Sequence, residues 1–215
     1  MTLFSDKYKC VVLCIPKTAT RSINNVLHGK YGFTRNKIVI DGKEITTSEH
    51  ASALEIKENM GDSWYDFTKI ATIRDPLDRL VSHYNYIQYF KSKRKNSKKT
   101  IKGQIKKTLT KMLPFYLWAI IYNFKGNRYY LLDDDENLMV DTLIDFNNID
   151  EDFYQAFKKV GLYVENGDFK QKNTIQKKSK ITPNTSYLFK KSIHQETEFY
   201  KKIIDERRRK LNTDI

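Results

Sequence analysis

Two short segments of the chain combine positive charges with hydroxyl groups in a way that suits anion binding. In the first, residues 16–23, Lys17 stands together with the hydroxyls of Thr18, Thr20 and Ser22. The segment follows an apolar run and precedes a helix-like pattern, and the unpaired N–H groups in the first turn of a helix attract anions. The lysine adds a compact positive charge on a flexible stem. This segment therefore predicts a phosphate-binding turn.

The second segment places Arg74 directly after another apolar run, and Ser82 follows it eight residues later. Open α/β sheets bind ligands beyond the carboxyl ends of their strands. The separation from Arg74 to Ser82 is about two helical turns, so both side chains can grip one anion. The fork geometry of a guanidinium suits phosphate. Arg79, in contrast, is expected to form an ion pair with Asp75 or Asp78.

Together, the two segments predict one ligand with two separated phosphate groups, bound at neighbouring strand ends. A nucleotide or small-molecule kinase of the P-loop class is an alternative. That class needs glycine at the two positions that Val11 and Pro16 occupy here. No acidic residue closes the second apolar run to serve a nucleotide-bound Mg²⁺. Turnover of ATP that depends on Mg²⁺ would distinguish the kinase.

The elements that must position these segments follow an α/β pattern. Apolar runs alternate with helical periodicity in the first part of the chain, which is the signature of a parallel sheet covered by helices. The elements predicted there are strands 9–15, 36–40 and 67–73, and helices 19–28, 48–60 and 76 onward. Gly29 is expected to end the first of these helices. Further along we expect an apolar helix at 113–124, a hairpin over 129–146, and helices 150–160 and 196–211.

Positive charge is concentrated in one part of the chain. The 215 residues fit a single domain, residues 1–215. The net charge is +13, and residues 91–111 hold ten basic residues and no acidic one, so the remainder carries only +3. We interpret residues 91–126 as a basic helical insertion that attracts polyanions, such as an acidic acceptor. Residues 91–111 lack aromatic side chains, which argues against a module that stacks nucleic-acid bases.

The cysteines and the hydropathy pattern bear on where the protein works. Cys10 and Cys14 lie on one predicted strand, about 13 Å apart, which is too far for a disulfide. No apolar run reaches the roughly 18 residues of a spanning helix, and we see no signal peptide at the N-terminus. We therefore expect reduced cysteines and a cytoplasmic protein. Peripheral contact with an anionic membrane stays open.

The two segments resemble motifs of a known enzyme family. Residues 16–23 (Pro-Lys-Thr-Ala-Thr-Arg-Ser-Ile) resemble the 5′-phosphosulfate loop of the sulfotransferases that use 3′-phosphoadenosine 5′-phosphosulfate (PAPS). Residues 74–84 (Arg-Asp-Pro-Leu-Asp-Arg-Leu-Val-Ser-His-Tyr) resemble their 3′-phosphate motif. Residues 143–149 resemble more weakly the family segment Arg-Phe-Glu-Asn-Leu. The similarity is greatest to the Golgi-type carbohydrate sulfotransferases and their bacterial relatives.

The resemblance implies a P-loop-like three-layer fold and a defined reaction. A sulfuryl group would pass from PAPS to an acceptor hydroxyl, with a carbohydrate as the expected acceptor, 3′,5′-adenosine bisphosphate as the product and no metal. Lys17 would stabilise the charge that develops on the phosphate oxygen. The residues expected to hold the donor are Lys17, Thr18, Ala19, Thr20, Arg21 and Ser22 at its 5′ end, and Arg74 and Ser82 at its 3′ end.

A base must also accept the proton of the acceptor hydroxyl. His50 is the first candidate, because it stands between the two motifs at a predicted helix start, where the helix dipole lowers a histidine pKa. Glu49 and Glu55 are rivals. Arg21 and Asn147 depart from the family pattern, where Thr or Ser and Glu are usual. This leaves open a protein of the same fold that binds polyanions without activity.

Overall fold

The computed structural model describes residues 1–93, 113–122, 124–165 and 187–213. Seven strands are present in these ranges, and five of them form the central sheet in the order β3-β1-β2-β6-β7. The strands are β1 (Thr2–Ser5), β2 (Cys10–Leu13), β3 (Thr34–Arg35), β4 (Lys37–Ile40), β5 (Lys43–Thr46), β6 (Thr68–Ile73) and β7 (Thr142–Asp145). β6 runs parallel to both β2 and β7, and β1 runs antiparallel to its two neighbours.

Helices cover both faces of this sheet. The described helices are α1 (Thr20–Tyr31), α2 (Ala53–Met60), α3 (Pro76–Lys93), α4 (Phe115–Ile121), α5 (Asn127–Leu131), α6 (Ile149–Lys158) and α7 (Tyr187–Thr213). Short 3₁₀ helices span Gly61–Asp66 and Phe146–Asn148.

Alternate residues of β2 enter two different hydrophobic cores. Cys10 and Val12 pack with residues of α1 and α6 on one face. Val11 and Leu13 pack with residues of α2 and α7 on the other face. Because side chains alternate along a strand, a strand buried on both faces shows a continuous apolar run in the sequence. The predicted three-layer α/β fold is confirmed, and its parallel strands β2, β6 and β7 end at the same edge of the sheet.

The predicted strand 36–40 exists as β4, but its expected place in the parallel sheet is wrong. β4 pairs only with β5, in a separate two-stranded sheet. Asp41 and Gly42 both adopt positive φ, 50° and 76°, which is the geometry of a tight hairpin turn. In the central sheet, the strand that lies beside β2 on the side away from β6 is β1, which the sequence analysis did not predict. Only two of the four residues of β1, Leu3 and Phe4, are apolar, so the sequence shows no apolar run of strand length there.

Two helix boundaries also differ from the prediction. α1 continues through Gly29 and ends at Gly32, whose φ of 71° supplies the left-handed cap. α2 begins at Ala53 rather than at residue 48, because the Ser52 side chain accepts a hydrogen bond from the Glu55 N–H and caps the helix there. The loop before α2 is therefore longer than expected, and it carries His50.

The region after α3 is only partly described. Phe115 and Trp118 of α4 pack against Leu80 and Ile87 of α3, which confirms an apolar core helix within 113–124. The predicted basic insertion at 91–126 lies largely outside the described residues, which omit 94–112 and 123. The predicted hairpin over 129–146 is confirmed in part: its first arm is the helix α5, but Leu132 and Leu138 pair antiparallel around the predicted turn at 133–137, and the strand β7 follows.

Both cysteines lie in the core. Cys10 and Cys14 are free thiols, and burial raises the pKa of each to about 12. They are thus inert core residues at neutral pH, as expected for a reduced pair. None of the described helices combines the length and the apolar character needed to cross a bilayer.

Candidate functional site

The loop between β2 and α1 has an unusual backbone. Lys17 and Ala19 both adopt left-handed conformations, with φ of 71° and 63°. No glycine is present between Leu13 and Thr20, so each of these residues carries strain of about 1–3 kcal/mol. Alternation of left-handed with other residues turns successive N–H groups toward one concave point, which is an anion-binding nest. Strain of this kind is typical of functional sites.

The hydroxyl groups of this loop brace it from inside. Thr18 Oγ1 and Thr20 Oγ1 both donate to the Ile15 carbonyl, at 2.8 and 2.9 Å. The Ser22 side chain is buried, and the Ser22 N–H donates to the Ala19 carbonyl at 2.8 Å. These threonine hydroxyl protons are thus used within the protein, so what residues 18 and 20 can offer an anion is their backbone N–H.

The backbone amides of the loop remain available. Within the ranges that the structure describes, the N–H groups of residues 17–21 donate to no protein acceptor. Unpaired donors at the start of a helix need a partner, and water or an anion supplies it. The loop therefore presents a set of amide donors in front of α1.

Arg74 follows β6 directly, and β6 lies beside β2 in the sheet. Because the two strands are parallel, Lys17 and Arg74 emerge at the same edge. Arg74 Nη1 donates to the Lys17 carbonyl at 3.3 Å. The structure thus brings both predicted anion-binding segments together at this edge, and we refer to the region around Lys17 and Arg74 as the crevice.

The crevice is strongly electropositive. Burial, and then the charges of Arg74 and Arg21, lower the pKa of Lys17 to about 8. Burial also lowers the pKa of Arg74, although Asp78 and Asp75 oppose this. Among the described residues, none of the three cations lies within ion-pair distance of a carboxylate. Such an arrangement is stabilised by an anionic ligand.

Each of the two central cations lies on an aromatic ring. Lys17 Nζ is 4.0 Å from the centroid of the Tyr86 ring, and Arg74 Cζ is 4.0 Å from that of Phe146. Tyr86 belongs to α3, and Phe146 comes directly after β7. Arg74 Nε is buried and has no hydrogen-bond partner in the described part of the protein. This nitrogen is a donor that a bound phosphate oxygen can satisfy.

Ser82 lies on α3 with a partly exposed side chain, one turn before Tyr86. Residues four apart lie on one face of a helix. Ser82 therefore lies on the same face of α3 as Tyr86, the residue that contacts Lys17. No contact joins Ser82 to Arg74 in the structure.

The expected ion pair of Arg79 is wrong. Arg79 is fully buried and donates to the Lys125 carbonyl, with its guanidinium 4.3 Å from the Phe124 ring centroid. Burial lowers its pKa to about 10. Asp75 is engaged elsewhere, because its carboxylate accepts from the Asp78 N–H and caps α3. Arg79 therefore supports the interior beneath α3 and does not line the crevice.

Arg74 is held from behind by the C-terminal helix. Asn127 Nδ2 donates to the Arg74 carbonyl at 3.1 Å, and the Asn127 N–H donates to Glu196 Oε2 of α7 at 2.6 Å. A Cβ atom at Gly126 would lie 1.9 Å from the Glu196 carboxyl carbon, so any other residue there would displace this carboxylate from its present position. Burial raises the pKa of Glu196, while the N–H groups of Arg128 and Asn127 oppose this.

His50 lies in the loop before α2, outside the helix. Its Nδ1 is 2.9 Å from the Cys14 carbonyl and 2.8 Å from the Met1 amino nitrogen. When Nδ1–H donates to that carbonyl, Nε2 is the nitrogen that can accept a proton. Burial, and then the charge of the Met1 amino group, lower the pKa of His50. The pKa of His50 is therefore lowered, as expected, but burial and the Met1 charge cause this rather than a helix dipole.

The two rival bases are placed differently. Glu49 is exposed to solvent. Glu55 belongs to the start of α2, where its Oε1 accepts from the Ser48 N–H at 3.2 Å. No contact in the structure connects either carboxylate, or His50, directly to Lys17 or Arg74.

Sequence analysis assigned no individual role to four residues that contact or support Lys17 and Arg74: Tyr86, Phe146, Asn127 and Glu196. Two of them carry a local signal. Tyr86 follows Ser82 at helical spacing, and Phe146 stands at a strand end, where ligands bind in such sheets. Asn127 and Glu196 have no such signal, because their hydrogen bond joins residues that are 69 positions apart.

The chain matches the model of one protein family, described as the sulfotransferase family, over residues 1–213. This span includes both anion-binding segments and the whole of α7. No curated protein and no solved structure matched the chain. Among the described residues, no group of three or more histidine, cysteine or acidic side chains could hold a metal ion.

Proposed function

Since the chain belongs to the sulfotransferase family, we propose that it transfers a sulfuryl group from PAPS to a hydroxyl group of a carbohydrate acceptor. The observation that carries this proposal is the crevice, where Arg74 Nη1 donates to the Lys17 carbonyl at 3.3 Å. The two segments lie side by side at one edge of the sheet, so a ligand with one phosphate at its 5′ end and another at its 3′ end could occupy both at once.

The residues present fit such a donor. The strained loop offers the amides of residues 17–21 to the 5′ end, with Arg21 as an exposed charge nearby. Arg74 offers its unpartnered Nε to the 3′-phosphate, and Ser82 adds a hydroxyl from α3. An anion at either end also relieves the mutual repulsion of Lys17, Arg21 and Arg74.

Lys17 is suited to stabilise the departing phosphate. PAPS, when bound, supplies a sulfuryl group that is already activated on a phosphate oxygen. With a pKa of about 8, the Lys17 amine is mostly charged at pH 7. A charged donor held in place where negative charge develops lowers the barrier without reorganisation.

His50 would accept the proton of the acceptor hydroxyl at Nε2. Its lowered pKa keeps the imidazole neutral, and therefore basic, at neutral pH. Its attachment to the Cys14 carbonyl fixes the ring at the start of the Lys17 loop. Glu49 and Glu55 are the alternative bases. The basic residues at 91–111 favour an acidic acceptor, because they add long-range attraction.

Calorimetry with 3′,5′-adenosine bisphosphate and with ATP tests the donor assignment. We expect the bisphosphate to bind more tightly, and Arg74→Ala to weaken its binding about 10- to 100-fold, because charged hydrogen bonds are lost. Arg35→Ala is the matched control, since Arg35 lies on the far edge strand and contacts Asn24. Tighter binding of ATP, or an Arg74→Ala variant that binds like the wild type, would contradict the proposal.

The acceptor is tested by incubating the protein with PAPS and a panel of glycans, followed by mass spectrometry. We expect one sulfuryl group to be added to hydroxyl-bearing glycans, with a preference for those that carry carboxylates. A neutral acceptor modified faster than any acidic one would refute the preference for acidic acceptors.

A further inference from the structure

Within the part of the chain that the structure describes, the ammonium group of Lys17 lies against the aromatic ring of Tyr86. Its Nζ lies 4.0 Å from the centroid of the Tyr86 ring. Tyr86 is on α3, and 36% of its surface remains exposed, so the ring is a wall of the crevice rather than part of the core. At this distance the negative face of the ring attracts the cation.

We propose that Tyr86 is a positioning residue that acts through Lys17: the face of its ring fixes the ammonium at the 5′ end of the donor and keeps it charged. This inference rests on the proposed function, because it assigns Tyr86 a role in the reaction that Lys17 would serve. Tyr86 touches Lys17 and is not itself assigned to the donor.

The charges around Lys17 explain why such support is needed. Burial is the largest effect that disfavours the charged amine, and the charges of Arg74 after β6 and then Arg21 on α1 add to it. No described carboxylate lies close enough to pair with the amine. A ring face favours the cation without neutralising it, so the charge stays available for a departing phosphate.

Comparison with Arg74 shows what is particular to this pair. Arg74 also lies 4.0 Å from a ring centroid, that of Phe146. A guanidinium keeps its charge at any physiological pH, so Phe146 can only orient it. The lysine amine can lose its proton, so Tyr86 bears on both its position and its protonation.

Titration of Lys17 tests the contact without any donor present. Lysine labelled with ¹³C at Cε reports the titration by NMR, and the Lys17 signal is assigned by its loss in Lys17→Arg. We expect Tyr86→Leu to lower the titration midpoint by about half a pH unit to one pH unit, because leucine is apolar but lacks the negative ring face. Tyr86→Phe keeps the ring and should keep the midpoint.

Tyr65→Leu is the matched control, because Tyr65 is 69% exposed and carries Lys57 Nζ at 5.6 Å from its ring centroid. This variant should leave the titration of Lys17 unchanged. A Tyr86→Leu protein whose Lys17 midpoint equals that of the wild type would overturn the inference. The same holds if Tyr86→Phe shifts the midpoint as much as Tyr86→Leu, since the ring face would then not be the cause.

Kinetics test the role in catalysis. Tyr86→Leu should lower kcat about 3- to 30-fold with a smaller change in the KM for PAPS, and it should move the alkaline fall of kcat to lower pH. Tyr86→Phe should keep the kcat and the alkaline pH profile of the wild type. Unchanged kcat and pH profile in Tyr86→Leu would refute the role. A wild type that lacks sulfuryl transfer but shows the expected titration would overturn the proposed function and leave the Tyr86–Lys17 contact supported.

Discussion

The Lys17 loop and the Arg74 turn lie at the same edge of the sheet, but they are built in opposite ways. The loop takes two left-handed residues without glycine and holds its shape through the Ile15 carbonyl, which is only a few residues away. The Arg74 turn opens a regular helix capped by Asp75. Its support comes from Phe146, Asn127 and, through Asn127, from α7.

The backbone of the Lys17 loop is thus determined by local contacts, whereas the position of Arg74 depends on tertiary structure. The hydrogen bonds that shape the loop lie within residues 15–20, so a change in α7 should leave its backbone amides in place. Arg74 would act through one side chain, whose placement relies on Phe146 and Asn127 from other parts of the chain. We therefore expect catalysis to be lost most readily at the loop, and donor affinity to be lost at the turn or behind it.

The largest effect is expected for Lys17→Ala. It should lower kcat about 100- to 1000-fold, because a charge that stabilises the departing phosphate is lost, while affinity for 3′,5′-adenosine bisphosphate changes little. Steady-state kinetics and calorimetry measure the two quantities. Lys43→Ala on β5 is the control, since Lys43 is exposed and far along the chain from the loop. Equal losses of kcat and affinity would remove the distinction between the two regions.

His50→Gln should lower kcat about 100-fold, because the proton acceptor is lost. The pKa of His50 lies below 6.5, so wild-type activity should persist as the pH falls to 6.5 and decline only below it. A pH–rate profile measures this, and the variant should lack the acid decline. His28→Gln, a histidine bound to the Phe33 carbonyl, is the control. An unchanged profile in His50→Gln would point to Glu49 or Glu55.

Glu196→Ala should affect the Arg74 side alone. It removes the carboxylate that holds Asn127, so affinity for the bisphosphate should fall about tenfold and the free energy of unfolding by about 2 kcal/mol. The titration of Lys17 should stay as in the wild type. Glu198→Ala, at an exposed residue paired with Lys201, is the control. A changed Lys17 midpoint would show that the two regions are coupled.

The smallest effect concerns stability, and here the substitution should stabilise the protein rather than impair it. The pKa of Lys17 is about 8 in the fold against an ordinary 10.5, so the charged amine destabilises the fold. This cost is fully present below pH 8 and fades as the pH rises to 10.5. Lys17→Met should therefore raise the free energy of unfolding at pH 7 by about 1–2 kcal/mol.

Denaturant unfolding at pH 7 and at pH 10 measures that gain, which should shrink at the higher pH. Lys43→Met provides the control with an exposed lysine. A loss of stability in Lys17→Met at pH 7 would mean that the amine is paired more favourably than the structure indicates.

The parts that could be predicted from the sequence are those with a local cause. The predicted strands 9–15 and 67–73 are visible as apolar runs because both of their faces are buried. The start of α3 is predicted by Asp75-Pro76, since aspartate caps a helix and proline suits its first position. β1 was missed because only Leu3 and Phe4 among its four residues are apolar. Residues 36–40 were recognised as a strand, but which sheet a strand joins depends on tertiary pairing.

The candidate site divides in the same way. Lys17, Arg74 and Ser82 were found from residue type and spacing, and the structure brings Lys17 and Arg74 together. The roles assigned to them remain proposals. The use of the Thr18 and Thr20 hydroxyls inside the loop was not foreseen, because a sequence shows which donors exist but not which acceptors they reach. The support of Arg74 by α7 has no sequence signal.

That support has a consequence for biosynthesis. On the ribosome, β2, β6 and α3 emerge early, so a nascent chain carries both motifs long before α7 is made. Until Glu196 arrives, Asn127 lacks the carboxylate that fixes it, and the arginine remains unanchored. We expect a partly synthesised chain to form the Lys17 loop but not to fix Arg74. Such a chain should not retain the donor until α7 has been synthesised.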